Sequence, residues 1–291
     1  MHSRYGGGVL GGESQKAVMI FGREYWRHPR VFLSILAKGG IPHSISPKLE
    51  ALLKAYIMLW GIPNPSLQLR AAYFQKFTKR VQFSRALDAG CGIGLHSILL
   101  ARRYPHAKID AYDVDSELIT VAEEMAKELR LDNLSFTEQD LLELRNFSEY
   151  DFIYCIDVLE HVEDDEELIK VFWQALKKGG VLYLATPHER HIKRYFTRLG
   201  LQYEAKGHVR SGYSEEKLES LLSKNGFTLK QIRTTWGLIG EGCEELYMLS
   251  LLRLPLVCVG LICPFLAVIS RLDMYRSNSK GYGLIAIAHK G

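Results

Sequence analysis

Hydrophobic spacing along the chain changes character near residue 85. Before it, apolar positions recur with a helical period. Pro47–Trp60 (PKLEALLKAYIMLW) predicts a helix, with Ser46 as N-cap, Pro47 at the first helical position and Gly61 past the end. Ser66–Lys79 predicts a second, with Leu67, Ala71, Phe74 and Phe77 on one face. From Arg85 onward, short apolar runs alternate with amphipathic stretches. Strands are predicted at Ala86–Ala89, Lys108–Tyr112, Leu134–Glu138, Asp151–Ile156, Val181–Ala185, Phe227–Thr235 and Leu284–Ala288. Helices are predicted at Gly94–Tyr104, at Ser116–Arg130 behind the cap Asp115, and at Asp164–Lys177, stopped by Gly179-Gly180. A further helix, Glu215–Asn225, lies between the cap Ser214 and the terminator Gly226. Such alternation predicts a largely parallel sheet with helices on both faces, and ligands then sit beyond the carboxyl ends of the central strands. The glycines Gly6–Gly8 and Gly11–Gly12 predict an irregular start over residues 1–30.

One segment breaks the alternation. Leu246–Ser270 lies between the last two predicted strands, and its Leu254–Ser270 part is uncharged through 17 residues. A membrane-spanning helix needs about 20 apolar residues. Pro255 and Pro264 interrupt the run, and Arg253 sits inside it. If both flanking strands pair in one sheet, the chain must leave and return on the same side, which excludes a single span. An in-plane helix pair, a shallow re-entrant hairpin or a lid over the active site remains. Arg271, Arg276 and Lys280 follow closely, as expected beside anionic headgroups. Membrane contact is the expected use; a dimer interface or an extended core is the alternative.

Composition narrows the class. The 291 residues are 47% hydrophobic and 24% charged, values that exclude a disordered tail, a collagen-like fibre and a multi-span transporter. Residues 1–84 carry 12 Lys/Arg against 3 Asp/Glu, a net +9 that leaves −5 for the rest of a chain whose total is +4. A basic arm on a mildly acidic body suggests an anionic partner, phospholipid or nucleic acid, or else a solvated basic face. The five cysteines form no CxxC pair, and Cys91 and Cys155 fall in turn and sheet patterns, so a reducing compartment is expected. The N-terminus lacks the pattern of a signal peptide, the apolar run Ala17–Phe21 being too short. The division expected is a basic helical extension at 1–84, a core at 85–239, a hydrophobic insertion at 240–282 and a final core strand at 283–291.

The candidate chemistry begins at Leu87-Asp88-Ala89-Gly90-Cys91-Gly92-Ile93-Gly94, between the first strand and its helix. Glycine there permits a sharp turn and lets a ligand touch bare peptide. A dinucleotide fingerprint would read GxGxxG, but Leu95 stands in place of the third glycine, so the signal for a nicotinamide or flavin cofactor is weak. Asp113, at the end of the second strand, is placed to hold both hydroxyls of a ribose. It could also serve as a turn or helix cap, as could Asp88.

LDAGCGIG, followed by AYDVD and then YDFIYCIDVLEHV, resembles the class I S-adenosylmethionine-dependent methyltransferases, most nearly the ubiquinone-pathway O-methyltransferase type. The likeness covers about residues 85–236 and the final strand. It implies a Rossmann-like α/β fold with a seven-stranded, mostly parallel sheet. It also implies S-adenosylmethionine as cofactor and S-adenosylhomocysteine as product. In that likeness Asp88 orients the glycine loop and approaches the cofactor's ammonium group. Gly90, Cys91, Gly92 and Gly94 carry the loop against the methionine part, and Asp113 with Val114 meets the ribose. Asp140, followed by Leu141, meets the adenine, and Ile156 lines the sulfonium pocket.

The reacting face needs a nucleophile held in line with the sulfonium methyl and shielded from water. Asp157-Val158-Leu159-Glu160-His161 is a D-x-x-E-H cluster at the mouth. His161 is the candidate base, since imidazole titrates near neutrality, with Glu160 and His208 beside it; a structural histidine is the alternative. Asp157, Glu160 and His161 are also metal candidates, with His208 as a fourth ligand, because some relatives carry E-x-x-E-H as a metal site. Such ligands suit zinc or manganese better than magnesium. His188, His208, Arg210 and Tyr213 flank a segment expected to be mobile and could shape the acceptor pocket, with Arg210 pairing an acceptor carboxylate or phosphate.

The expected protein is a cytoplasmic, peripherally membrane-associated methyltransferase for a lipid-like or amphiphilic small molecule. An enzyme for a soluble metabolite, with the insertion forming a homodimer, is the alternative, followed by a non-catalytic scaffold. Nucleic acid is not expected as substrate, since NPPY and Pro-Cys catalytic motifs are missing.

Overall fold

The computed structural model describes residues 45–189, 207–276 and 278–291. The glycine-rich start and the segment between Glu189 and Gly207 lie outside the described residues, as does most of the basic arm. Chain order is α1 (Pro47–Trp60), α2 (Pro65–Thr78), β1 (Arg85–Ala89), α3 (Leu95–Arg103), β2 (Lys108–Asp113), α4 (Ser116–Glu128), β3 (Leu134–Glu138) and β4 (Tyr150–Ile156). Then come α5 (Asp165–Ala175), β5 (Leu176–Pro187), α6 (Glu215–Lys224), β6 (Phe227–Thr235), α7 (Leu238–Arg253), α8 (Leu256–Ser270) and β7 (Gly283–Lys290). The seven strands form one sheet in the order β3-β2-β1-β4-β5-β7-β6, with β7 antiparallel to both neighbours.

The central strands β1, β4, β5 and β7 are buried on both faces, which is why they read as short apolar runs, while the edge strands β3 and β6 are partly exposed. Along β4, Phe152 and Tyr154 face one core with α2, α3 and α4, while Ile153 and Cys155 face the other with α5 and α6. On the first face Phe74 of α2 lies 4.8 Å from Tyr154 and 6.3 Å from Phe152 between ring centroids, and Phe77 lies 5.0 Å from Tyr183. The caps act as expected: Ser46, Asn64, Asp115, Asp164 and Ser214 each accept a backbone N–H in the first turn of their helices.

One boundary differs from the expected pattern. The helix ends at Ala175 and β5 begins at Leu176, before Gly179-Gly180 rather than after them. Leu176 pairs with Tyr150 across an irregularity in the β4–β5 ladder, so the glycines carry a bulged strand and not a helix terminator.

β6 and β7 pair directly, with Thr235 opposite Gly283. The chain between them therefore leaves and returns at the carboxyl edge of the sheet, where it forms the helical hairpin α7–α8. Val257–Tyr275 is long and apolar enough to cross a membrane by length and composition. The hairpin has its own small core of Cys243, Tyr247, Val259, Cys263 and Leu266. It is tied to α2 by the Arg271 guanidinium, which donates to Gln68 Oε1 at 3.1 Å. Buried Asp273 accepts from the Gly237 amide and the Asn278 side chain, both at 2.8 Å, and fixes the return of the hairpin to the sheet.

Candidate active site

The turn after β1 is left-handed at three glycines, with φ of 82° at Gly90, 52° at Gly92 and 74° at Gly94. A Cβ on Gly90 would stand 2.2 Å from Val158 Cγ2, and one on Gly94 would stand 2.5 Å from the Phe136 ring. Gly92 has no atom within 4 Å of that position, so the loop is crowded beneath and open on one side. That open side, a bare peptide beside a carboxylate, fits a nucleoside-bearing ligand.

Asp113 stands at this opening. Its Oδ2 accepts the Gly92 amide at 2.7 Å and its Oδ1 accepts the Asp115 amide at 3.0 Å. The backbone of the same strand holds the loop's other side, since Tyr112 O accepts from Gly90 N at 2.8 Å and Cys91 N at 2.9 Å. Val114, 66% exposed, follows it. Gln139 N donates to Asp113 O at 2.8 Å, which brings the end of β3 alongside. There Asp140 caps the turn Leu141–Glu143 by accepting Leu142 N at 2.9 Å, and Leu141 is buried. Ile156 is half-buried at the end of β4.

Asp88 lies under the loop. It is 3% exposed and accepts the Ser97 hydroxyl in the first turn of α3, while Tyr154 OH donates to Ser97 Oγ at 3.3 Å. Burial is the main cause that pushes its carboxyl up to about 7, against the lowering by Ser97 and Tyr154. The carboxylate of Asp88 is thus bonded to the first turn of α3 behind the loop. Burial also raises the Cys91 thiol, leaving it a small packing group.

Beyond β4 the D-x-x-E-H residues part company. Asp157, at φ 55°, turns to Arg70 of α2 and forms an ion pair with it. Glu160 is buried and accepts the Thr186 hydroxyl at 3.2 Å; burial raises its carboxyl. His161 Nδ1 lies 2.9 Å from Gly207 O, and its ring meets His208 edge-on at 4.6 Å. A carbonyl only accepts, so Nδ1 is the nitrogen that carries a proton, and in the neutral ring Nε2 is the one with a lone pair. Ligand atoms of Glu160, His161 and His208 lie within 4.8 Å of one another. Asp157 stands outside that set, so the metal candidates narrow to Glu160 and His161 together with His208.

Of the residues expected to shape an acceptor pocket, Arg210, Tyr213 and His188 are bonded elsewhere. Arg210 donates to Leu159 O at 3.0 Å, Val162 O at 2.7 Å, Glu163 O at 2.9 Å and Tyr213 OH at 2.8 Å, and it pairs with Asp165 at 3.2 Å. It is a strut for the 159–165 loop, not a hand for an acceptor anion. His188 is buried with Nε2 at 3.0 Å from Glu215 Oε2, and Glu215 also accepts Thr234 at 2.7 Å.

Two residues missed in the sequence, Arg70 and Trp236, pack beside the D-x-x-E-H segment. Arg70 reaches Asp157 from α2, its guanidinium 4.9 Å over the Trp236 ring at the end of β6. The signal was present: Arg70 is one turn from Leu67 and from Phe74 on the apolar stripe, where an arginine is out of place unless it has a partner.

A family model described as a methyltransferase domain matches residues 66–232. A protein named ubiquinone biosynthesis O-methyltransferase from Coxiella burnetii is 36% identical over 119 residues, covering 40% of this chain and 49% of its own. One of the same name from Actinobacillus pleuropneumoniae is 31% identical over 160 residues, covering 50% and 67%. The chain spans about half the length of the curated relatives it matches first. Among solved structures, the [4+2]-cyclase SpnF superposes with a TM-score of 0.55 at 19% identity, covering 92% of this chain and 94% of that one. A putative sarcosine dimethylglycine methyltransferase from Galdieria sulphuraria does so with 0.54 at 17%, covering 77% and 84%. At these identities the structures share the fold alone, and the cyclase indicates that the fold does not fix the reaction.

Proposed function

Because the chain belongs to the methyltransferase-domain family, we propose that it methylates an amphiphilic, lipid-like acceptor at a membrane surface, with S-adenosylmethionine as donor and oxygen as the accepting atom. The donor, when bound, supplies its own electrophile, a sulfonium methyl group. The chain's part is to hold it, align the acceptor and exclude water. The Gly90–Gly94 loop and Asp113 would hold it at the open side of Gly92. The α1–α2 and α7–α8 helices would cover the acceptor from the carboxyl edge of the sheet.

One observation carries the membrane part: outside its small core, the α7–α8 hairpin buries carboxylates on one helix and turns an apolar stripe outward on the other. On α7, Glu241 and Glu245 are buried, with Glu245 accepting Tyr282 OH at 2.6 Å, while Leu246 and Leu252 are exposed. On α8, Val257, Leu261, Phe265 and Val268 form one exposed face, with Phe265 at 69%. A surface helix in water has the reverse arrangement. Apolar surface outside and carboxylates inside suit a hairpin lying in the boundary of a bilayer. Val259, by contrast, is buried in the hairpin's own core and takes no part in that face.

The test has two arms. Calorimetry should detect S-adenosylhomocysteine but not NADH, and Asp113→Ala should weaken binding by about 1.5–3 kcal/mol, the worth of hydrogen bonds to a charged group. Vesicle co-sedimentation should capture the wild type, and Val257→Ser, Leu261→Ser and Phe265→Ser together should release it without changing cofactor affinity. A wild type that is monomeric and indifferent to vesicles overturns the membrane part. A dimer dissociated by the same changes assigns the stripe to a second subunit and favours a soluble acceptor.

A further inference from the structure

The outward stripe of α8 does not stop at Ser270. Val257, Leu261, Phe265, Val268, Leu272 and Tyr275 follow at steps of three and four, so one face runs through the 3-10 turn Arg271–Tyr275. All six are exposed, and Tyr275 is the most so, at 83%. Tyr275 also lines a groove of 730 Å³ between the edge of β6 and the return from the hairpin. Lys76, Arg233 and Arg276 line the same groove, with Asn278 and Ser279 adding polar groups. Lys76 Nζ stands 5.4 Å over the Tyr275 ring. Arg233 Nη2 donates to Met274 O at 3.1 Å and to Arg276 O at 2.8 Å, which fixes the guanidinium at the wall. One acid, Glu215, reaches the groove, and it is held by His188 and Thr234.

We propose that this groove is a headgroup site for an acidic phospholipid, with the phosphate meeting Lys76, Arg233 and Arg276 while the α8 stripe lies among the acyl chains. The inference rests on the membrane reading above and names its lipid. The order of chemistry along one face is that of a bilayer boundary: hydrocarbon side chains, then an interfacial tyrosine, then bases at headgroup depth. Three bases against one engaged carboxylate leave the groove positive. Its continuity with the apolar stripe selects a lipid over a soluble phosphate, which would have no use for the exposed leucines and phenylalanine.

Co-sedimentation with vesicles of phosphatidylcholine alone, and of phosphatidylcholine mixed with phosphatidylglycerol, tests this. Wild type should bind the mixed vesicles more tightly, and salt should reduce the difference. Lys76→Gln with Arg276→Gln should weaken binding to mixed vesicles about 30-fold, two bases near an anionic surface, and leave binding to neutral vesicles and the melting temperature unchanged. Lys76→Arg should keep the preference. Phe265→Ser should lose both vesicle types. If the double variant keeps the full anionic preference while Phe265→Ser releases the protein, the groove is overturned and the membrane reading survives. If the wild type ignores both vesicles but binds inorganic phosphate in a Lys76-dependent way, the lipid assignment fails together with the membrane reading.

Discussion

Arg70 of α2 and Asp157, the residue after β4, form an ion pair across the seam between the helical cover and the sheet. The direction of α2 makes this necessary. Phe77 packs near Tyr183 and Phe152, Phe74 packs near Tyr154, and one turn further the side chain arrives at the carboxyl edge. There Asp157 is left-handed and its amide donates to Ala185 O at 2.8 Å, so the carboxylate's position is set by the sheet.

Both side chains of the pair are about three-quarters buried, so removing one partner strands the other. Arg70→Ala should cost about 1–3 kcal/mol of stability. The double variant Arg70→Ala with Asp157→Ala should cost less than the sum of the singles, with a coupling of about 0.5–3 kcal/mol. Denaturant midpoints measure this directly, and additive losses would show that the two residues do not depend on each other.

Asp88 gives the fold a pH dependence of known sign. Its carboxyl is raised to about 7 by burial first, with the nearby Asp113 charge adding to it. An unfolded aspartate titrates near 3.9. Between those values the folded chain binds more protons than the unfolded one, so this group's contribution falls as pH rises from about 4 to about 7, then levels. Asp88→Asn keeps a partner for Ser97 and removes the titration. The stability of wild type minus variant should therefore decline across that window, by at most about 1.4 kcal/mol per pH unit for one proton. Parallel pH profiles for the two proteins would rule this out.

Much of this was legible in the chain because the signals were local. The central strands follow from apolar runs buried on two faces, the edge strands β3 and β6 from their place in the strand–helix alternation, and the glycine loop from its left-handed turns. The exit and return of the insertion follow from the pairing of β6 with β7. The orientation of α7 was not legible. The burial of Glu241 and Glu245 depends on the packing of the hairpin, with Tyr282 donating to Glu245 from a distant part of the chain. Arg210 failed for a related reason: a basic residue in a loop reads as a ligand contact until its carbonyl partners, more than 45 residues away, are seen. His208 lies near Glu160 and His161, whereas Asp157 turns away to Arg70, a partner in a different part of the chain that local spacing does not reveal.

The Glu160, His161 and His208 cluster allows two chemistries, and one set of experiments separates them. With Nδ1 held by Gly207 O, His161 offers the Nε2 lone pair either to an acceptor hydroxyl or to a cation. As a base it would take the hydroxyl proton as the methyl group arrives. His161→Ala should then cut turnover by about two to four decades, with S-adenosylhomocysteine affinity unchanged. As a metal site, two imidazoles and one carboxylate favour zinc or manganese over magnesium. Titration calorimetry with zinc should then show a site lost in both His161→Ala and His208→Ala, a readout independent of turnover. Chelation should abolish activity, and zinc or manganese should restore it. Full activity after metal stripping would leave His161 as the base alone. Full activity in His161→Ala would remove the cluster from the chemistry and leave alignment of an already ionised acceptor as the chain's whole contribution.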